Sequence, residues 1–405
     1  VKGMQKRTVL YLMMLCVLVL FLTTVPAAAQ EPGIQDDVIF SYEESLPWVE
    51  TGSFQQGNGP HLSAAAALVM DADTGQVLYA KNPHQPRPIA STTKIITALV
   101  ALECGNLTDT AIISKRAAGV EGSSIYLKAG EKLTLEELIY GALMHSGNDA
   151  CVAIAEQVAG DEKDFVNLMN YRAYRLGAHN SNFCNTNGLP DDHHLSTAYD
   201  LALITRHALK NSAFRSIVAS KTHTIRGPQG KRILSNTNKM LWDYQGADGV
   251  KTGTTNAAGK CLVSSATRDG RSLIAVVLHS DDRYAESIQL LNYGFTHYKH
   301  QKVATRGQLF TQLPVKDSVK EKVPVTVAAD LMVSVPVSPE FILEKDIMLE
   351  QGLTAPVHKG QVLGKLQVLV EGEPVGEIDL LAQEAIEKLP YHRLLLSKIL
   401  NQLEP

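Results

Sequence analysis

A chain of 405 residues with 45% hydrophobic and 20% charged side chains is long enough for two folded units, each with a real core. Its 38 Lys and Arg are offset by 42 Asp and Glu, giving a net charge of -4. That balance leaves no broad basic field and argues against a nucleic-acid partner.

The N-terminus reads as a targeting segment. Lys2, Lys6 and Arg7 precede an almost unbroken apolar run from Val9 to Leu22, and Ala27, Ala28 and Ala29 supply small residues for a peptidase. Residues 1–29 are therefore expected to be a signal peptide cleaved after Ala29, since the run is short for a membrane-spanning anchor. Cys104, Cys151, Cys184 and Cys261 remain after cleavage. They lack metal-site spacing and are too few for a disulfide scaffold; one disulfide is compatible with them, but its pair is not determined. Residues 30–61 are polar, with Pro32, Pro47 and Pro60, and read as a linker.

From Ser63 the pattern changes. Ala64 to Asp71 and Gln76 to Lys81 flank Asp73-Thr74-Gly75, the pattern of two strands joined by a tight turn. Pro83, Pro86 and Pro88 mark an irregular approach to Ser91, where a helix apolar on nearly every side runs to Gly105. Leu133 to Met144 and Ala150 to Val158 read as helices around a polar break at His145 to Asp149, and Ser196 to Asn211 as another, capped by Ser196. Strand patterns recur at Thr222 to Arg226, Cys261 to Thr267 and Leu273 to Leu278. Strands at both ends of a helical middle predict an α/β unit over residues 62–297, its sheet completed by the two ends of the domain. Residues 298–385 are short alternating strands, such as Val323 to Val327, Leu331 to Val335 and Val362 to Val370, and predict a small all-β domain.

Chemistry concentrates in three short motifs. Ser91-Thr92-Thr93-Lys94 opens the buried helix, so Ser91 and Lys94 share one face and the amine reaches the hydroxyl. A serine is a poor nucleophile until a base takes its proton, and lysine serves only if burial or a nearby cation, here Lys251, lowers its pKa. Ser146-Gly147-Asn148 falls in the break between two helices; Ser146 is a candidate proton relay, and Asn148 offers an amide to a substrate backbone. Lys251-Thr252-Gly253 precedes a strand and is followed by Thr254. Lys251, Thr252 and Thr254 suit a carboxylate, and Gly253 permits close backbone approach. Each motif alone also fits a helix cap, a loop or a turn. Together and in this order they match the triplet of serine acyl-enzymes.

The chain resembles the low-molecular-mass penicillin-binding proteins that act as D-alanyl-D-alanine carboxypeptidases. Leu68 to Gly75, Asn185-Thr186-Asn187-Gly188-Leu189, Ala198 to Ala202 and Arg283-Tyr284-Ala285-Glu286-Ser287 extend the likeness beyond the triplet. It implies a penicillin-binding-protein/β-lactamase-like transpeptidase fold followed by a small all-β domain. It also implies catalytic Ser91, Lys94 and Ser146, with Asn148, Lys251, Thr252, Gly253, Thr254 and Arg283 binding substrate, and an oxyanion hole from the N–H groups of Ser91 and Thr254. The implied substrate is the peptidoglycan stem peptide, with β-lactams as covalent inhibitors and no cofactor or metal. Adjacent His193 and His194 are expected to face solvent rather than hold a metal.

Two relatives on the same scaffold remain alternatives. A D,D-endopeptidase differs only in what lies beyond the scissile bond. A β-lactamase of class A needs a Glu between the second and third motifs, and Asn180 to His194 contains Asp191 and Asp192 but no Glu. An idle wall-binding module is disfavoured by intact Ser91, Lys94, Ser146 and Lys251. Residues 386–405 are expected to form an amphipathic helix, with Leu396, Ile399, Leu400 and Leu403 on one face. That stripe suits either a membrane surface or packing on the β-rich domain.

Overall fold

The computed structural model describes residues 59–227 and 230–393. The signal segment 1–29, nearly all of the linker, and the apolar stripe Leu396, Ile399, Leu400 and Leu403 lie outside these residues.

Strands β1 (Ala66–Asp71) and β2 (Val77–Lys81) form the expected hairpin. A 3₁₀ turn (Ala90–Thr93) then feeds α1 (Lys94–Cys104), so the regular helix starts at the lysine rather than at Ser91. A short β3 (Thr110–Ile112) and α2 (Lys115–Ala118) lead to β4 (Lys132–Thr134), which pairs with β3. Helix α3 (Leu135–Met144) opens on a Thr134–Glu137 capping box, which satisfies backbone donors that no helical carbonyl can reach. Helices α4 (Asn148–Ala159) and α5 (Glu162–Arg175) follow. In α6 (Ala198–Ala208) the cap is Thr197, not Ser196, because the Thr197 hydroxyl accepts from the Asp200 N–H.

Helix α7 (Ser212–Ala219) precedes a separate hairpin of β5 (Thr222–Gly227) and β6 (Gly230–Ser235), and then α8 (Met240–Asp243). The strand expected at Thr222 therefore does not join the main sheet. That sheet is completed by β7 (Ala247–Thr255), β8 (Gly259–Arg268) and β9 (Arg271–Ser280), in the order β2-β1-β9-β8-β7. Lys251-Thr252-Gly253 lies within the edge strand β7 rather than ahead of a strand.

Strand alternation assigns the two faces. Leu68, Met70, Ile274 and Val276 belong to one core with α1, α3 and α4, whereas Ala67, Val69, Ala275 and Val277 pack with Leu290 and Leu291 of α9 (Arg283–His297). Both faces are covered, which is why these strands are almost wholly apolar.

Beyond α9, β10 (Tyr298–Ala304) pairs with β13 (Leu331–Pro336). Strands β11 (Leu309–Pro314), β12 (Lys322–Val327), β14 (Leu343–Leu349), β15 (Val362–Val370) and β16 (Glu373–Ala382) form a second sheet, β11-β12-β16-β15-β14. It has its own core of Val323, Val325, Val333, Leu366 and Leu380. Ile386 is buried in this core and bridges to Val357, so the start of the expected C-terminal helix is extended chain; residues 391–393 are helical. Among the described residues, no helix is long and apolar enough to cross a membrane.

Candidate active site

The site lies where the 3₁₀ turn, the α3–α4 break and the edge strand β7 converge. Ala90 occupies the left-handed region at φ +49°, an unusual conformation for a residue with a Cβ, and turns the chain into Ser91. Ser91 is half-buried. Lys94, one turn on, is fully buried and donates to Ser91 Oγ at 2.9 Å, Asn148 Oδ1 at 2.8 Å and the Asn187 carbonyl at 2.7 Å.

The motif Ser146-Gly147-Asn148 joins this cluster through its corner. Ser146 is nearly buried at φ +64°, which breaks α3 from α4 and lets Asn148 point inward. The Asn148 Nδ2 donates to the Glu121 carbonyl at 2.7 Å, so each end of the amide has a partner within the protein. Asp149 beside it anchors the overlying loop, accepting from the N–H groups of Ile125 and Leu127 and from the Ser124 hydroxyl.

The third wall is β7. An added Cβ on Gly253 would stand 3.1 Å from the Ser91 nitrogen and 2.9 Å from the Ile89 carbonyl, so the strand backbone runs directly against the serine turn. A side chain here would have to push two backbones apart. Lys251 is buried and donates to the Thr252 carbonyl at 2.9 Å, while the Thr252 hydroxyl meets that of Thr237 at 2.8 Å. Thr254 is exposed. Arg283, the first residue of α9, donates through Nη1 to Thr254 Oγ1 and to the Gly253 carbonyl, both at 2.8 Å.

Burial sets the electrostatics. It pulls Lys94 from 10.5 to about 8, and nearby Cys151 and Asp149 limit the fall. Lys251 is lowered well below the usual lysine range by burial, by the charge of Lys94 and by Arg283. The expected lowering of Lys94 by the Lys251 charge is not what acts here: loss of water lowers Lys94, and the charge of Lys94 adds to the lowering of Lys251.

The structure adds residues that the motifs do not name. The Asn185–Leu189 turn presents the Asn187 carbonyl to Lys94, and the Glu162 carboxylate holds it through the Thr186 N–H and hydroxyl. Its Asn187-Gly188 dipeptide is a turn pattern visible in the sequence, and Gly188 at φ +84° fits a position where a Cβ would overlap the Ala90 carbonyl. His194 corrects an expectation: it does not face solvent but is buried, bonding Thr93 Oγ1 at 2.8 Å and the Cys184 N–H at 3.0 Å. Cys104, Cys151, Cys184 and Cys261 are all free thiols.

A serine on a strained turn, a buried amine bonded to its hydroxyl and an edge strand against its N–H define an active-site-serine hydrolase. Residues 53–282 match the D-alanyl-D-alanine carboxypeptidase family, peptidase S11, and residues 298–388 match the C-terminal domain of penicillin-binding protein 5. The D-alanyl-D-alanine carboxypeptidase DacF of Bacillus subtilis is 33% identical over 335 residues, covering 80% of this chain and 86% of that protein. The structure of penicillin binding protein 5 from Haemophilus influenzae superposes with a TM-score of 0.73 at 30% identity, over 82% of this chain and 99% of that one. The Streptomyces K15 DD-transpeptidase covers 59% of this chain and 99% of its own, at 36% identity and a TM-score of 0.56. The chain belongs to the D-alanyl-D-alanine carboxypeptidase family of serine peptidases.

Proposed function

We propose that this protein is a serine-type D-Ala-D-Ala carboxypeptidase that trims peptidoglycan stem peptides through an acyl-enzyme on Ser91. The observation that carries the reading is the 2.9 Å bond between Ser91 Oγ and a buried Lys94 whose pKa falls to about 8. In its neutral form that amine takes the serine proton as Oγ attacks the penultimate D-Ala carbonyl. The oxyanion is held by the N–H groups of Ser91 and Thr254, consistent with the apposition of Gly253 to the turn. Ser146 relays the proton from Lys94 to the departing D-Ala nitrogen. Lys251, Thr252, Thr254 and Arg283 receive the terminal carboxylate, and Asn148 is read as both a Lys94 anchor and a substrate contact. Water then cleaves the ester, and penicillin is held at the same serine.

Peptide mapping after incubation with a β-lactam tests this assignment: the adduct is expected on the peptide containing Ser91, and an adduct that survives in Ser91→Ala overturns it. If the terminal carboxylate is recognised, amidating it slows turnover by about one to two decades. Equal turnover of amidated and free stem peptides would favour a D,D-endopeptidase.

We also infer export by a signal peptide at residues 1–29, a linker at 30–61, a catalytic domain at 62–297 and a β-rich domain at 298–385. The protein then works on the outer face of the cytoplasmic membrane or in the wall space. The stripe Leu396, Ile399, Leu400 and Leu403 supports reversible attachment of the C-terminal helix to a membrane surface. Mature protein that fails to sediment with liposomes would remove that attachment.

A further inference from the structure

The Ser91 turn is braced by a side chain that none of the three motifs contains. His194 is buried beneath it, and both ring nitrogens have partners. Its Nδ1 accepts from the Cys184 backbone N–H at 3.0 Å, and a backbone N–H can only donate, so the ring is neutral with its proton on Nε2. The Nε2–H therefore donates to Thr93 Oγ1 at 2.8 Å. A threonine hydroxyl has a single proton. With its oxygen already accepting from the imidazole, that proton goes to the Ala90 carbonyl, also at 2.8 Å.

The chain of bonds runs Cys184 N–H to His194, His194 to Thr93, and Thr93 to the Ala90 oxygen, each link fixing the polarity of the next. The Ala90 carbonyl and the Ser91 N–H belong to one planar trans peptide and point in opposite directions. Holding the oxygen therefore aims the N–H. Gly188 closes the other side of the same carbonyl, where an added Cβ would overlap it. The opposite end of the peptide faces β7, with the Gly253 Cβ position 3.1 Å from the Ser91 nitrogen.

We propose that His194, acting through Thr93, is a positioning residue that orients the Ser91 backbone N–H toward the carbonyl oxygen of the bound substrate. This rests on the reading of Ser91 and Thr254 as the oxyanion hole. It extends that reading by assigning control of the hole to a histidine on the segment that follows the Asn185–Leu189 turn. The imidazole bonds to Thr93 and the Cys184 N–H rather than to Ser91, so its effect is expected on the chemical step and not on binding.

The test separates these two steps. Penicillin acylation of the full chain is followed by stopped flow, and the dissociation constant of the initial complex is resolved from the acylation rate constant. His194→Asn keeps an acceptor near Nδ1 but has no group that reaches Thr93, whereas His194→Gln places an amide N–H close to the position of Nε2. Removal of an oxyanion donor slows catalysis by about a hundredfold or more, so misaiming it is expected to cost about tenfold. His194→Asn should slow acylation by about that factor with the dissociation constant unchanged, and His194→Gln should recover most of the loss. Thr93→Val, which removes only the hydroxyl, should match His194→Asn, and the double variant should be no slower than either alone. Thr93→Val alone carries the test if His194→Asn does not fold.

Wild-type acylation rates in His194→Asn or Thr93→Val, or equal losses in the Asn and Gln variants, would overturn the inference and leave Ser91 as nucleophile untouched. So would an effect confined to the dissociation constant. A wild-type protein that penicillin never acylates would overturn the functional reading and this one together.

Discussion

Among the described residues, two of the clusters of buried charge are built on opposite plans. In the cleft, Lys94 donates to a hydroxyl, a side-chain amide and a backbone carbonyl, and Lys251 to a backbone carbonyl; none of these acceptors carries charge. At the junction of the main sheet with the β-rich segment, the buried carboxylate of Asp71 on β1 accepts from Arg271 of β9 at 2.9 Å, His300 of β10 at 2.8 Å and Ser334 of β13 at 2.9 Å. Burial works against the Asp71 charge, but His300, Arg271 and the Thr74 N–H outweigh it and hold the group at about 2. The same loss of water therefore has two outcomes. Without a charged hydrogen-bond partner it makes an amine easy to deprotonate, and with one it locks two elements together. The cleft keeps a reactive group, and the junction keeps a shape.

Removing each charge should give contrasting results. Lys94→Met is expected to slow acylation by about two to four decades while lowering the melting temperature less than Asp71→Asn does. Near-normal acylation in Lys94→Met would show that this amine is not the base. Asp71→Asn leaves Arg271 facing no carboxylate and should cost about 3–5 kcal/mol of stability in denaturant titrations. Acylation by penicillin below the unfolding transition should stay close to wild type; a large kinetic loss would mean that the junction reaches into the cleft.

Converting one plan into the other is a finer probe. Asn148→Asp places a carboxylate where an amide oxygen now accepts from Lys94 at 2.8 Å. The lysine pKa should rise and acylation at neutral pH should fall by about one to two decades, with the loss recovered as pH increases. A loss that does not change with pH would contradict this account. In the wild-type protein, acylation should climb about tenfold per pH unit and level off above about pH 8, where Lys94 becomes neutral.

The junction supplies the smallest effect, at acid pH. The folded Asp71 pKa of about 2 lies below the ordinary 3.8, so the stabilisation from its ionisation is complete above about pH 4 and is lost as pH falls through 2. About 2 kcal/mol should disappear over that window in wild type and not in Asp71→Asn. A similar acid loss in Asp71→Asn would shift the cause to other carboxylates.

Much of the cleft was legible because its chemistry depends on short local spacings. Ser91 and Lys94 lie one turn apart, and Ser146-Gly147-Asn148 falls at a helix break that the apolar pattern marks. What was not legible depends on long-range backbone approach. The Asn187 carbonyl is an ordinary main-chain group until folding brings it to Lys94. His194 reads as a solvent-facing loop residue beside His193 because its partners, Thr93 and the Cys184 N–H, become neighbours only in three dimensions. Strand β7 was hidden for a related reason: Gly249 and Gly253 weaken strand propensity, yet both pack tightly, Gly249 on the Val218 side chain and Gly253 on the Ile89 and Ser91 backbone. Caps one residue apart, Ser196 and Thr197, are chemically equivalent in sequence, and only backbone geometry selects between them.

The position of β1 between β2 and β9 has a consequence for how the protein comes to be folded. Asp71 and Arg271, neighbours across that pairing, are 200 residues apart in the chain. At ~5–20 residues per second of synthesis, the first hairpin waits ~10–40 s for the strand that covers its open edge. Until then its apolar faces have neither α9 nor β9 to pack against, and no sheet with two buried sides can form. Such high contact order slows folding and delays commitment to a compact state. The catalytic domain therefore stays uncommitted until its last strand, β9, has been made.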